Sequence, residues 1–119
     1  SLDLAHLPSQ MTGLLVENNS FDGSIALHNL PDTMKDLNVC ENTLSGCLDL
    51  SQSPSEVLTL KLGKNDFCGS TDFRNLPRTL LTLDISYTDI SGEILLTGNT
   101  GLRIFGADSQ VDVFVLEDV

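Results

Sequence analysis

The chain of 119 residues carries 17 acidic side chains against 6 basic ones, a formal net charge of −11. That balance argues against nucleic acid, whose phosphates need lysine and arginine, and against an anionic membrane surface. No apolar run approaches the ~20 residues that span a bilayer, so direct membrane insertion is not expected, and the acid excess chiefly promotes solubility while favouring basic partners.

Taken from the N-terminus, Leu2-Asp3-Leu4 matches Leu48-Asp49-Leu50. The chain is therefore expected to continue a coil that begins before residue 1, as a portion of a longer array. Residues 5–27, 28–50, 51–73 and 74–96 then form four copies of one 23-residue outline. Its columns are Met11, Met34, Val57 and Leu80; Leu14, Leu37, Leu60 and Leu83; Val16, Val39, Leu62 and Ile85; and Asn19, Asn42, Asn65 and Thr88. Fixed-period self-similarity is the mark of a stacked repeat, in which each coil rests on its neighbours.

Within a coil the L-x-L core has period 2, which predicts a short parallel strand with its leucines inward. The strands are expected at 13–17, 36–40, 59–63, 82–86 and 104–108. The asparagine column follows, where the chain turns inward. Its amides can satisfy backbone groups of adjacent coils, and Thr88 can do only part of this. Next comes an apolar-x-Gly corner at Gly23, Gly46, Gly69 and Gly92, where glycine permits φ > 0 or close backbone approach. Beyond it Ile25 with Leu27, Leu48 with Leu50 and Ile94 with Leu96 alternate, with Thr71 and Phe73 a weaker match, and predict a second short parallel strand. Pro8, Pro31, Pro54 and Pro77 are expected in turns or the first turns of 3-10 helices. Residues 97–119 form an atypical last coil or cap. Its best match is Leu102, Phe105, Ala107 and Gln110, one residue early, followed by a strand-like Val111, Val113 and Val115.

These columns resemble the leucine-rich repeat family over most of the chain. Asn42-Thr43-Leu44-Ser45-Gly46 is similar to the S-G type of plant receptor ectodomains, and the 23-residue length and the x-x-Leu-Pro-x-Thr segment are closer to arrays of unicellular eukaryotes. The resemblance implies a single leucine-rich repeat right-handed solenoid over 1–119, mainly β, that binds a protein or peptide through its concave strand face. Departures at Ser53, Thr71, Thr88 and the last coil predict irregular stacking near 70–75 and after 97.

On that face the residues between the inward leucines point to solvent. One ladder is Leu15, Asn38, Lys61, Asp84 and Gly106; its neighbour is Glu17, Cys40, Gly63, Ser86 and Asp108; the other flank is Gly13, Asp36, Thr59, Thr82 and Ile104. Leu15, Glu17, Asp36, Asn38, Lys61, Asp84, Ser86 and Asp108 are the candidate contact residues, and Tyr87 is the one aromatic candidate beside them. The alternative is an architectural subunit in a larger assembly, because Leu2, Leu4 and Val111–Val115 would leave apolar surface uncovered at the solenoid ends.

Catalysis is not expected, and neither a cofactor nor a metal is. His6 and His28 fall in adjacent columns rather than one. No Ser–His or Cys–His arrangement stands out, the acidic residues of the strand face lie in different columns with no cleft to desolvate them, and no phosphate-binding glycine motif is present. The three cysteines, Cys40, Cys47 and Cys68, cannot all pair internally. Cys47 and Cys68 flank corresponding glycines in successive coils, so a disulfide there and free thiols both remain open. Asn18-Asn19-Ser20 is a glycosylation sequon that would modify Asn18.

Overall fold

The computed structural model describes residues 2–97 and 101–116. It is a β-solenoid of five coils with parallel strands on two sides. The strands are β1 (Gly13–Leu15), β2 (Asp22–Gly23), β3 (Asp36–Asn38), β4 (Thr43–Gly46), β5 (Thr59–Lys61), β6 (Asp66–Ser70), β7 (Thr82–Asp84), β8 (Asp89–Thr97), β9 (Arg103–Phe105) and β10 (Gln110–Leu116). The first sheet runs β1-β3-β5-β7-β9 and the second β10-β8-β6-β4-β2. The described helix is limited to two 3-10 turns, Leu27–Asn29 and Leu50–Gln52.

The inward leucines set the register of the first sheet. Leu14 faces Leu37, Leu37 faces Leu60 and Leu60 faces Leu83, each step 23 residues. Leu37, Leu60 and Leu83, with Val39, Leu62 and Ile85 from the next column, are fully buried. Leu14 and Val16 are only half-buried, since no described coil lies outside them. A buried side chain of this size contributes about 1.5–3 kcal/mol. The assigned strands are three residues long rather than five, yet the inter-coil bonds continue past them. Val39 N–H donates to Lys61 O at 2.9 Å and Glu41 N–H to Gly63 O at 3.2 Å.

The asparagine column closes the corner between the sheets. Asn65 Nδ2 donates to Leu62 O and Gly63 O in its own coil and to Val39 O in the preceding one, at 2.9–3.1 Å. Its Oδ1 accepts from Leu44 N–H at 3.1 Å. Asn42 repeats the pattern with Val39, Cys40, Val16 and Phe21. Thr88 bonds inside its own coil, its hydroxyl donating to Ile85 O and accepting from Ile90 N–H.

The second sheet departs from expectation in position. Its strands begin before the corner glycine, not two residues after it. At Leu27 and Leu50 the chain enters 3-10 turns, which bury those leucines without extended backbone. Only β8 runs on through Ile94 and Leu96. From β2 to β8 the pairing steps are 21 residues, as in Gly46 with Phe67 and Gly69 with Ile90, so this sheet slips two residues per coil against the repeat; from β8 to β10 the step is 19, as in Gly92 with Val111. An even slip keeps each side chain on its own face. All four corner glycines have positive φ, from 82° to 143°. The four prolines open turns: Met11, Met34, Val57 and Leu80 N–H each donate to the proline carbonyl three residues before.

The last coil is displaced by two residues, not one. Leu83 faces Ile104, so Ile104 turns inward and Phe105 is 51% exposed. Ser109, rather than Gln110, takes the corner column: its Oγ donates to Gly106 O at 2.6 Å and accepts from Val111 N–H at 3.4 Å. The alternation from Val111 to Val115 is strand β10, and Val113 pairs with Ile94. Residues 98–100 and 117–119 of the expected last coil lie outside the described residues. Irregularity near 70–75 is also present: Arg74 and Asn75 form a turn where the two preceding coils have 3-10 helix. At the other end Leu4 is buried like Leu27, Leu50 and Phe73. Asp3 Oδ1 accepts from Ala5 N–H as Asp49 accepts from Ser51 and Asp72 from Arg74, so residues 2–4 share the repeat tail.

Candidate functional site

The outer face of the first sheet carries three rows. Gly13, Asp36, Thr59, Thr82 and Arg103 form one; Leu15, Asn38, Lys61, Asp84 and Phe105 form the next. The third, just past the strands, is Glu17, Cys40, Gly63, Ser86 and Ala107, the last fixed by Tyr87 N–H donating to Ala107 O at 2.8 Å. The two-residue displacement of the last coil thus puts Arg103, Phe105 and Ala107 where Ile104, Gly106 and Asp108 were expected.

Leu15, Asp36, Asn38 and Lys61 come together around one shallow depression of about 190 Å³, with Leu37 and Thr59 completing it. Asp84 and Ser86 stand one coil further along. Asp84 Oδ1 accepts from Ser86 N–H at 3.0 Å and Ser86 Oγ–H at 2.6 Å, and so is fixed in place. Gly63 is required beside it. A Cβ there would stand 2.8 Å from Asp84 Oδ1 and from Ser86 O. Across this bare floor Asp84 Oδ2 lies 4.0 Å from Cys40 Sγ. Burial, then the Asp84 charge, pushes the Cys40 thiol up and keeps it protonated. Glu17 lies exposed at the first coil, and Asp108 sits off the rows in a left-handed turn with φ 54°.

That turn belongs to a fourth row, of which the sequence singled out Asn18, Tyr87 and Asp108 separately but not Glu41, Lys64 or the row itself. Asn18, Glu41, Lys64, Tyr87 and Asp108 all have φ between 54° and 59°. Lys64 Nζ donates to Glu41 Oε1 at 3.0 Å and lies 5.8 Å from the centre of the Tyr87 ring. The left-handed backbone turns these side chains outward in a line; their constant spacing before the asparagine column was the available signal. Asn18 of the sequon is exposed within this row.

The remaining candidates are not gathered. His6 Nδ1 lies 2.9 Å from Asp3 Oδ2, while His28 sits in the first 3-10 turn. Ala5 N–H and then His6 hold the Asp3 carboxyl below its usual range. Among the described residues no group of three or more potential ligands is placed to hold a metal, and no helix is long and apolar enough to cross a membrane. A larger depression, about 390 Å³, lies by the second sheet between Thr71, Asp72, Phe73, Arg74, Glu93 and Leu95. Asp72 and Arg74 pair there through two forked contacts of 2.9–3.0 Å, and the guanidinium holds the carboxyl down at about 2. No protein-family model, curated protein or solved structure matches the chain.

Proposed function

We propose that the chain is a leucine-rich repeat module that binds a protein or peptide segment through the outer face of the first sheet, the concave side in the family it resembles. The repeated outline and the asparagine bonds between coils support the family reading. The contact reading is carried by one observation: Leu15, Asp36, Asn38 and Lys61 surround a single depression on a sheet whose backbone is held from behind by buried leucines. Such a surface offers apolar, amide and charged groups in fixed rows, which suits an extended segment better than a small molecule. The role is non-catalytic. The Cys40 thiol is held protonated, and the carboxylates of the face lie in separate rows on an open surface.

Charge reversal tests this reading. Lys61→Glu is expected to abolish capture of the partner by the immobilised chain from its native extract with an unchanged melting temperature, and Asp84→Lys to abolish it with a small fall in melting temperature from the lost Ser86 bonds. Unimpaired capture by both variants would refute the contact face.

A second reading, a subunit packed within a larger assembly, is favoured by β10. Val113, Phe114, Val115 and Leu116 are 42–63% exposed on the outermost strand of the second sheet. Under that reading Val113→Asn and Val115→Asn release the chain from its assembly, and the Lys61 and Asp84 variants do little.

A further inference from the structure

The second sheet holds two thiols that neither the core nor the proposed contact face uses. Cys47 follows the corner glycine of its coil and Cys68 precedes that of the next, and both are exposed and unpaired. The slip of this sheet sets these two positions opposite one another. β4 and β6 pair Ser45 with Asp66 and Gly46 with Phe67, so the next step brings Cys47 to Cys68. One coil later the same repeat positions are Ser70 and Ser91, and these are directly paired across β6 and β8. The Cys47 side chain also leans towards the following coil. Its Sγ lies 2.7 Å from the point where a Cβ on Gly69 would stand, beside Cys68. Neighbouring strands run ~4.8 Å apart, inside the roughly 4.4–6.8 Å between Cα atoms that a disulfide spans.

We propose that Cys47 and Cys68 are a reversible oxidation site, forming a disulfide that staples the second coil to the third. The oxidant is a low-molecular-weight disulfide such as oxidised glutathione. The thiolate of one cysteine attacks it, forms a mixed disulfide and releases one glutathione thiolate. The second cysteine, deprotonated, displaces the other glutathione and closes the Cys47–Cys68 bond. Two electrons and the two cysteine protons pass to the oxidant, which leaves as two glutathione thiols, so no net proton is released. A dithiol reductant reverses both steps. Cys40 does not compete, because it is half-buried on the other sheet beside the Asp84 carboxylate. The closed loop constrains the unfolded chain, so the oxidised form resists unfolding more than the reduced form.

The test is oxidation of the whole chain with excess glutathione disulfide, followed by alkylation, intact mass and peptide mapping. The expected product is lighter by two hydrogens at the paired cysteines, has a Cys47–Cys68 cross-linked peptide, retains an alkylated Cys40, and unfolds at higher urea than the reduced chain. Cys47→Ser and Cys68→Ser are expected to fold normally, since the repeat itself places serine at these columns in Ser24, Ser70, Ser45 and Ser91. Each should lose the cross-link and carry a single glutathione adduct at the remaining exposed thiol. Two separate glutathione adducts on the unmutated chain, a bridge that includes Cys40, or a dimer joined between chains would overturn the proposal.

Discussion

Replacing Asn65 with alanine should cost more than any other substitution of a polar residue in the chain. The side chain is buried, and its two amide hydrogens are shared among three carbonyls while its oxygen accepts from Leu44 N–H. Three bonds at about 1 kcal/mol each are lost, and the stranded Leu44 N–H adds a desolvation cost of about 1–3 kcal/mol. The sum, about 4–6 kcal/mol, is a large part of the roughly 5–15 kcal/mol that holds a domain together. Asn42→Ala should lie close behind, because its amide reaches into the preceding coil in the same way. Asn19→Ala should cost under about 1 kcal/mol, because Asn19 is exposed and its amide donates to Val16 O and Glu17 O of its own coil. Urea unfolding with an unchanged slope measures all three. Equal losses at Asn19 and Asn65 would show that bonding between coils is not what the column supplies.

Three further outcomes follow from single positions. Thr71 is 6% exposed, and its hydroxyl has no partner among the described residues, in a column otherwise filled by Ile25, Leu48 and Ile94. Thr71→Val should therefore stabilise by about 1–2 kcal/mol, read as a rise in melting temperature; a fall would mean the hydroxyl is satisfied. Gly92 has φ 143°, and a Cβ there would sit 2.6 Å from Thr71 O and 2.9 Å from the Phe73 ring. Gly92→Ala should cost about 2–5 kcal/mol from strain and overpacking together. Gly101→Ala is the neutral control, since its nearest contact would be Leu81 at 3.9 Å. Asp72, held at about 2 by the Arg74 side chain and then by Arg74 N–H, binds its proton less readily folded than unfolded. Its share of stability is present above pH ~4 and is lost as the pH falls through about 2. Carboxyl titration by NMR should give that midpoint, and Arg74→Ala should move it only part of the way back to the ordinary range, because the N–H of residue 74 still donates to the carboxylate.

The inward columns were legible because two periods agree there: alternation within the strand and the 23-residue step between coils. Leu37, Leu60 and Leu83 satisfy both, and so the rows through Asp36, Asn38, Lys61 and Asp84 followed. The second strands were misplaced because Ile25 and Leu27 alternate for a reason other than extension. A 3-10 turn at Leu27 buries the same side chain, and alternation over three residues does not separate the two backbones. The last coil failed for a different reason. Aligning Phe105 and Ala107 with Leu83 and Ile85 preserves residue types but moves each residue to the opposite face, since a one-residue slip reverses a strand. Ile104, Ser109 and Val111 carried the correct alignment, and only the shortening by two residues concealed it. The row Glu41, Lys64 and Tyr87 was hidden by its left-handed backbone, which ordinary strand alternation does not describe.

The alternation that defines β5 also divides stability from contact between adjacent residues, and Leu60 with Lys61 is the sharpest test of that division. Leu60 is fully buried between Leu37 and Leu83, whereas Lys61 faces solvent between Asn38 and Asp84. Leu60→Asp forfeits about 1.5–3 kcal/mol of burial and places a carboxylate without a partner among apolar side chains, which costs several kcal/mol more. It should unfold at least the coils on either side, seen as lost protection from amide exchange on β3, β5 and β7. Lys61→Glu alters only an exposed charge, worth within about 0.5 kcal/mol of stability, and should leave that protection intact while removing partner capture. If the Lys61 variant lost protection as well, the outer rows would be part of the frame. They would not then be free to vary as a contact surface.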